Sequence, residues 1–196
     1  MKKIITIFIL VIIFSLILVA CNKSVDLTAQ EKFNIAQTQV DNYFNYRINK
    51  NEYEKIARSE NNDLYYYAAN GKRYIFPNLA IFESWFDDYD INHFEIHDLQ
   101  TLYQTPLGGN VTLRPGTLMM TETDPSIYLI TDNGNMKVFE NLELLEELYG
   151  FGYEDLIVPI PNFYFTNYKK TGTITKPEDF PKIPANLTID QDKGFE

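Results

Sequence analysis

The chain has 196 residues, 45% of them hydrophobic, with a formal charge of −10 at pH 7, one cysteine and two histidines. That length is about one domain's worth, and the acidic balance disfavours nucleic acid and anionic lipid surfaces as partners. A lone thiol excludes an intramolecular disulfide, and His93 and His97 leave few candidates for histidine chemistry.

Lys2 and Lys3 precede an uncharged apolar run over residues 4–19, the pattern of an export signal. As a helix this run reaches about 24 Å, short of a roughly 30 Å hydrocarbon core, and an uncleaved anchor is the alternative reading. Leu18-Val19-Ala20-Cys21 follows, with a branched residue, a small residue and the only cysteine in order. This tetrad resembles the lipobox of bacterial lipoproteins. The resemblance implies that residues 1–20 are a cleaved signal peptide and that the Cys21 thiol is acylated. Residues 21–28 then form a lipidated tether, and the chain is held extracytoplasmically on the cell membrane. Two or three acyl chains make such an anchor stable, at about 0.8 kcal/mol per buried methylene.

Thr28-Ala29-Gln30-Glu31 has capping-box spacing, and Phe33, Ala36, Val40, Tyr43, Phe44 and Ile48 recur every three or four positions behind it. The spacing predicts an amphipathic helix over 29–48, resuming at 51–58, so that residues 29–58 form an N-terminal helical segment. Its stripe is too short to argue for a coiled coil.

Residues 65–86 recur at 128–149 with an offset of 63 and seven identities in 22 ungapped positions. The matches are Tyr65/Tyr128, Asn70/Asn133, Gly71/Gly134, Phe76/Phe139, Asn78/Asn141, Leu79/Leu142 and Glu83/Glu146. Each Asn-Gly pair lies between apolar runs and predicts a two-residue type I′ hairpin, because both residues tolerate positive φ. Asn78 and Asn141 then predict N-caps of two short helices, the second closed by Gly150. Short apolar stretches follow, at Phe94 and Ile96 in one copy and at Leu156, Ile157 and Val158 in the other. Between the copies, Pro115-Gly116 predicts a turn between strands. The expected architecture is α+β: the N-terminal helix, two ββα-type repeats at 63–109 and 126–173, a β linker at 110–125, and an extended Pro-containing tail at 174–196.

Over residues 63–173 the chain also resembles a tandem repeat of uncharacterised cell-surface proteins from small-genome, candidate-phylum bacteria. The residues that carry this include Asn70-Gly71-Lys72-Arg73-Tyr74-Ile75-Phe76-Pro77-Asn78, Ser84-Trp85-Phe86, Pro106-Leu107-Gly108-Gly109-Asn110 and Leu148-Tyr149-Gly150. The resemblance implies a surface setting and a repeat architecture, and it brings no catalytic residue or ligand with it. Met136-Lys137-Val138-Phe139-Glu140 departs from the family's usual basic-aromatic strand ending in Arg-Trp-Ile.

Residues 87–98 concentrate acids and both histidines. As a calcium loop, Asp88, Asp90 and Asn92 take the first, third and fifth positions, but His93 replaces the glycine and Leu99 the final glutamate. As a zinc site, His93 and His97 share a strand face and require ligands from elsewhere. The region reads first as a solvated acidic loop, with Asp88, Asp90, His93 and His97 as cation candidates. No nucleophile elbow or phosphate loop is present, no cofactor is implied, and Glu143, Glu146 and Glu147 read as a solvated helix face.

Fourteen tyrosines and fourteen phenylalanines are many for so acidic a chain. Strand alternation would place Tyr66 opposite Tyr65 and Tyr67, and Tyr164 opposite Phe163 and Phe165. Most of these rings are expected in the core, and an exposed strip, with Tyr66 and Trp85 as candidates, could stack on sugars or anchor a protein. The sequence therefore predicts a non-enzymatic binding or scaffolding module whose partner is a cell-wall or surface glycan or an envelope protein. The alternative is an envelope metal-dependent hydrolase built on the acidic His93 to Asp98 region.

Overall fold

The computed structural model describes residues 28–45, 50–86, 89–184 and 186–195. The chain divides into two compact units, Met1–Glu31 and Lys32–Glu196. In the first, the Thr28 N–H donates to Glu31 Oε2 at 2.7 Å and the Glu31 N–H donates to Thr28 Oγ1 at 3.3 Å, a reciprocal cap. Helix α1 spans Ala29–Asn45.

The second unit is α+β, with two five-stranded mixed sheets. The first contains β1 (Ile56–Ser59), β2 (Leu64–Tyr67), β3 (Arg73–Ile75), β4 (Glu95–His97) and β5 (Leu107–Asn110) in the order β4-β1-β2-β3-β5. The second contains β6 (Leu118–Thr121), β7 (Tyr128–Ile130), β8 (Asn135–Phe139), β9 (Ile157–Ile160) and β10 (Lys169–Ile174) in the order β10-β8-β7-β6-β9. Each sheet is a three-stranded antiparallel meander whose outer strands each gain a later, parallel neighbour. A helix follows the third strand in both: α2 (Leu79–Trp85) and α4 (Leu142–Tyr149). Asn78 and Asn141 cap them, their side chains accepting from the Ile81 and Leu144 N–H groups at 2.9 Å. Gly150 ends α4.

The two Asn-Gly turns differ. In the β7–β8 hairpin both Asn133 (φ 49°) and Gly134 (φ 73°) are left-handed, and the Asn135 N–H donates to the Asp132 carbonyl, as a type I′ turn requires. In the β2–β3 hairpin only Gly71 has positive φ. There the Gly71 N–H donates to the Ala68 carbonyl and the Ala68 N–H to the Lys72 carbonyl, so the loop is one residue longer than predicted.

Residues 51–58 are not helical throughout. A 3₁₀ turn, Lys50–Lys55, leads into β1, where Ile56, Ala57 and Arg58 pair with Tyr66, Tyr65 and Leu64. The apolar spacing fitted a helix as well as a strand, and the ladder to β2 decides between them. The linker also contributes differently from expectation: 111–114 are buried without strand pairing, and β6 belongs to the second sheet. Nor is the tail merely extended, because it buries Phe180, Ile183 and Ile189 and carries helix α5 (Ile189–Lys193). The Phe163–Phe165 segment is 3₁₀ (Asn162–Asn167) rather than strand, so alternation does not sort its rings.

Period-two alternation gives the second sheet two buried faces. Met119, Tyr128, Ile130 and Met136 join a core shared with Tyr66, Phe76, Phe82 and Trp85 of the first half. Leu118, Leu129 and Phe139 join another, with Leu144, Leu145 and Leu148 of α4 and with Ala36 and Val40 of α1. The side chains of Tyr43, Phe44 and Ile48, expected on the α1 stripe, lie outside the described residues.

Candidate functional site

The first sheet has only one face in the shared core, that of Ile56, Leu64, Tyr66 and Tyr74. Register places Ala57, Tyr65 and Ile75 on the opposite face, together with the pair Tyr67 and Arg73. The parallel neighbours β4 and β5 extend this outer face with Glu95, His97 and Leu107. Helix α3 (Leu99–Gln104) follows β4, capped by Asp98, which accepts from the Thr101 N–H at 2.7 Å. That hydrogen bond holds the Asp98 carboxyl below its usual range. Leu102 on α3 is buried, while Tyr103 is 74% exposed and Leu99 and Leu107 are exposed as well.

Arg73 is the centre of this face. Its guanidinium carbon stands 5.4 Å from the Tyr65 ring centre and 5.9 Å from that of Tyr103, within cation–π range. It donates to the Thr105 carbonyl, and its Nε is buried without a partner. Beside it the Tyr67 hydroxyl lies 2.8 Å from His97 Nδ1, with the two rings edge to face at 5.4 Å. Burial raises the Tyr65 and Tyr67 phenol pKa values, so both hydroxyls remain protonated donors. Such a surface can stack on flat groups and donate hydrogen bonds.

The sequence-predicted binding residues sit elsewhere. Tyr66 is fully buried, with its hydroxyl 2.6 Å from Glu52 Oε2 and 2.8 Å from Asp190 Oδ2. Trp85 is 3% exposed, and its indole N–H donates to the Thr112 carbonyl at 2.7 Å. Neither ring is offered to a ligand, because both fill the core between the sheets, where each aromatic side chain contributes about 1.5–3 kcal/mol by burial. The signal for the outer face was in the aligned copies. Where the second copy has Met136 and Ile130, the first has Arg73 and Tyr67, a change from core to amphipathic residues.

Among the described residues the cation candidates Asp90, His93 and His97 do not converge. His93 ends a 3₁₀ turn, Ile91–His93, rather than sharing a strand face with Glu95 and His97. Among the described residues its ring pairs with Asp90, at 3.7 Å, and it is 84% exposed, whereas His97 is engaged with Tyr67. Asp90 is occupied in capping the Asn92 N–H. Among the described residues no group of three or more His, Cys, Asp or Glu side chains is placed to hold a metal ion. Asp88, Cys21 and the apolar run of residues 4–19 lie outside the described residues. No protein-family model, no curated protein and no solved structure matches this chain.

Proposed function

We propose that the protein is a membrane-anchored surface lipoprotein whose folded unit is a non-enzymatic binding or scaffolding module for an envelope or extracellular partner. One observation carries the binding part: Tyr65, Tyr67 and Tyr103 gather around Arg73 on an outer sheet face, at 74% exposure for Tyr103. Tyrosine and arginine are the residues that give interfaces most of their energy, and rigid rings lose little conformational entropy on binding. The lipobox at Leu18-Val19-Ala20-Cys21 supports the anchor, with acylated Cys21 in the bilayer and the module extracytoplasmic.

We also read the two halves as copies of one unit, offset by 63 residues. The common strand order and the paired asparagine caps support this. Duplication supplies a reason for the outer face: the second copy spends Tyr128, Ile130 and Met136 on the shared core, while at the equivalent positions of the first copy Tyr65 and Tyr67 are half-buried and Arg73 is buried outside that core.

The partner is a cell-wall or surface glycan or another envelope protein. The test incubates full-length lipidated protein with solubilised envelope material, beside a Tyr103→Ala variant. Wild type should retain a glycan or protein that the variant loses. Recovery that is equal for both, or no greater than from an unrelated control domain, overturns the reading. Cys21→Ser should move the protein out of the membrane fraction; if the distribution is unchanged, the anchor assignment is wrong.

A further inference from the structure

Arg73 is 7% exposed, yet among the described residues no carboxylate pairs with it. Its Nη1 donates to the Thr105 carbonyl, its Nε is buried without a hydrogen-bond partner, and Nη2, unbonded as well, keeps contact with solvent. A guanidinium stays charged throughout the physiological range and carries five N–H donors in a rigid fork. Burying such a cation without a counter-ion is unfavourable, and the rings of Tyr65 and Tyr103 offset part of that cost. Scarcity of acids is not the reason, since the chain has 27 aspartates and glutamates against 17 lysines and arginines. The fold pairs Lys55 with Glu52 and Asp190, and Lys193 with Asp192. At Arg73 it leaves the ion pair open.

The surroundings of that open edge are apolar groups and hydroxyl donors. Leu107 stands in register with Arg73 across the β3–β5 ladder, and Leu99 lies four residues before Tyr103 on α3, each more than half exposed. The Tyr65 and Tyr67 phenols are protonated donors on the same face. Glu95, an acceptor there, is paired with His97 at 3.5 Å. An anion therefore meets donors, and an apolar group attached to it meets Leu99, Tyr103 and Leu107. A sugar hydroxyl asks for acceptors as well as donors and gains little from a leucine rim. The chain's charge of −10 also repels a polyanion more strongly than a single carboxylate on an uncharged segment.

We propose that the outer face takes a carboxylate of a protein partner, bonded by Arg73 Nη2, with an adjacent apolar side chain of that partner seated against Leu99, Tyr103 and Leu107. The proposal rests on the binding reading of this face and names a protein rather than a glycan as what it binds. The carboxylate completes the ion pair that the chain leaves open. Because the guanidinium is already desolvated, the charge-assisted hydrogen bond forms without a further desolvation penalty on the arginine side.

The probe is N-acetyl-leucine, a carboxylate beside an apolar side chain, with N-acetyl-leucinamide as its uncharged counterpart and glucuronate as a carboxylate on a sugar. Each is titrated into the full-length lipidated chain labelled with 15N in arginine. The Nε–H signal of Arg73 is followed by NMR and identified by its absence in Arg73→Lys; if that variant does not fold, Tyr103→Ala, which takes a ring off the guanidinium, identifies the signal by its shift. N-acetyl-leucine should move the signal saturably and bind roughly tenfold more tightly than the amide. Equal binding of acid and amide, or no movement with either, overturns the proposal. Where Tyr103-dependent capture of envelope material nevertheless persists, the outer face remains a binding site and its anion chemistry is wrong; where capture fails too, the binding reading falls with it. Tighter binding of glucuronate than of N-acetyl-leucine assigns the site to an acidic glycan and overturns the protein partner.

Discussion

Tyr66 and Asp190 meet at 2.8 Å although 124 positions separate them in the chain. Through this contact the last residues are tied to the centre of the first sheet, and Lys55 and Glu52 complete a buried polar cluster around the phenol. Removing one member of a buried ionic network leaves the others uncompensated. Asp190→Ala should therefore lower the unfolding free energy by about 3 kcal/mol, and Tyr66→Phe by about 1–2 kcal/mol. Urea midpoints at pH 7 check both values, and equal stability of Asp190→Ala and wild type would contradict the cluster's role.

The same cluster sets a pH window. Burial pushes the Asp190 carboxyl up, but the Lys55 ammonium, the Ala69 N–H and the Tyr66 hydroxyl outweigh it and hold the group below its ordinary value. A depressed carboxylate contributes stability above its unfolded pKa and loses it as pH falls through the folded one. For Lys55 burial lowers the pKa, while Asp190 and Glu52 raise it further than burial lowers it. A raised lysine contributes stability below its unfolded pKa, and that contribution disappears as pH rises through the folded value. Stability should hold between about pH 5 and pH 10 and decline outside those limits. In Asp190→Asn the acid-side decline should become shallower, as a pH series of urea midpoints would reveal.

The hairpin glycines should differ in tolerance. A Cβ on Gly134 (φ 73°) would stand 3.0 Å from Thr112 Cγ2 and 3.1 Å from the Asn167 carbonyl, whereas one on Gly71 (φ 75°) meets nothing within 4 Å. Both alanine variants carry the left-handed penalty of about 1–2 kcal/mol, and Gly134→Ala adds a steric conflict with backbone. Gly134→Ala should melt lower than Gly71→Ala; the reverse order would show that Thr112 and Asn167 yield freely.

Asn78→Ala and Asn141→Ala each remove the side-chain acceptor of one N-cap. Each should cost about 1 kcal/mol, and the double variant about twice that, since the two caps share no partner. Thermal melts of the two singles and the double test this. A double variant no worse than either single would mean that the caps are coupled.

On the outer face, neighbouring residues of α3 should behave oppositely. Leu102 is 2% exposed and Tyr103 is 74% exposed. Leu102→Ala should destabilise by about 2–5 kcal/mol, and Tyr103→Ala by no more than about 0.5 kcal/mol. A large loss from Tyr103→Ala would place its ring in structural rather than binding service.

Much of the local structure was legible because its causes are local. An asparagine three residues ahead of the N–H that it caps is a short-range device, and both Asn78 and Asn141 act as the spacing predicted. The Asn133-Gly134 turn follows from which residues tolerate positive φ. Tyr65-Tyr66-Tyr67 alternates because strands have a period of two, with Tyr66 buried and its neighbours half-buried. Which side faced a ligand was not legible, since alternation separates two faces without saying which becomes core.

The candidate site was less legible still. Arg73 reads in sequence as one more polar strand residue, and Tyr103 as part of a short segment after the acids. They meet only because β5 pairs with β3 and α3 crosses the outer face between β4 and β5. His93 and His97 were placed together by spacing, and a 3₁₀ turn before β4 separates their roles.

The sequence by itself determined the α+β class, the hairpin and helix punctuation, the internal recurrence and the lipobox expectation, all of which depend on residues a few positions apart or on direct comparison of two stretches. Tertiary structure alone decided that Tyr66 and Trp85 are core, that residues 56–59 are strand, and that the tail ends in a helix whose carboxylates reach Tyr66 and Asn133. These outcomes depend on which surfaces come to face each other after the chain has folded. A buried phenol or carboxylate is stable only where a distant group satisfies it, and no pattern of neighbours along the chain names that group.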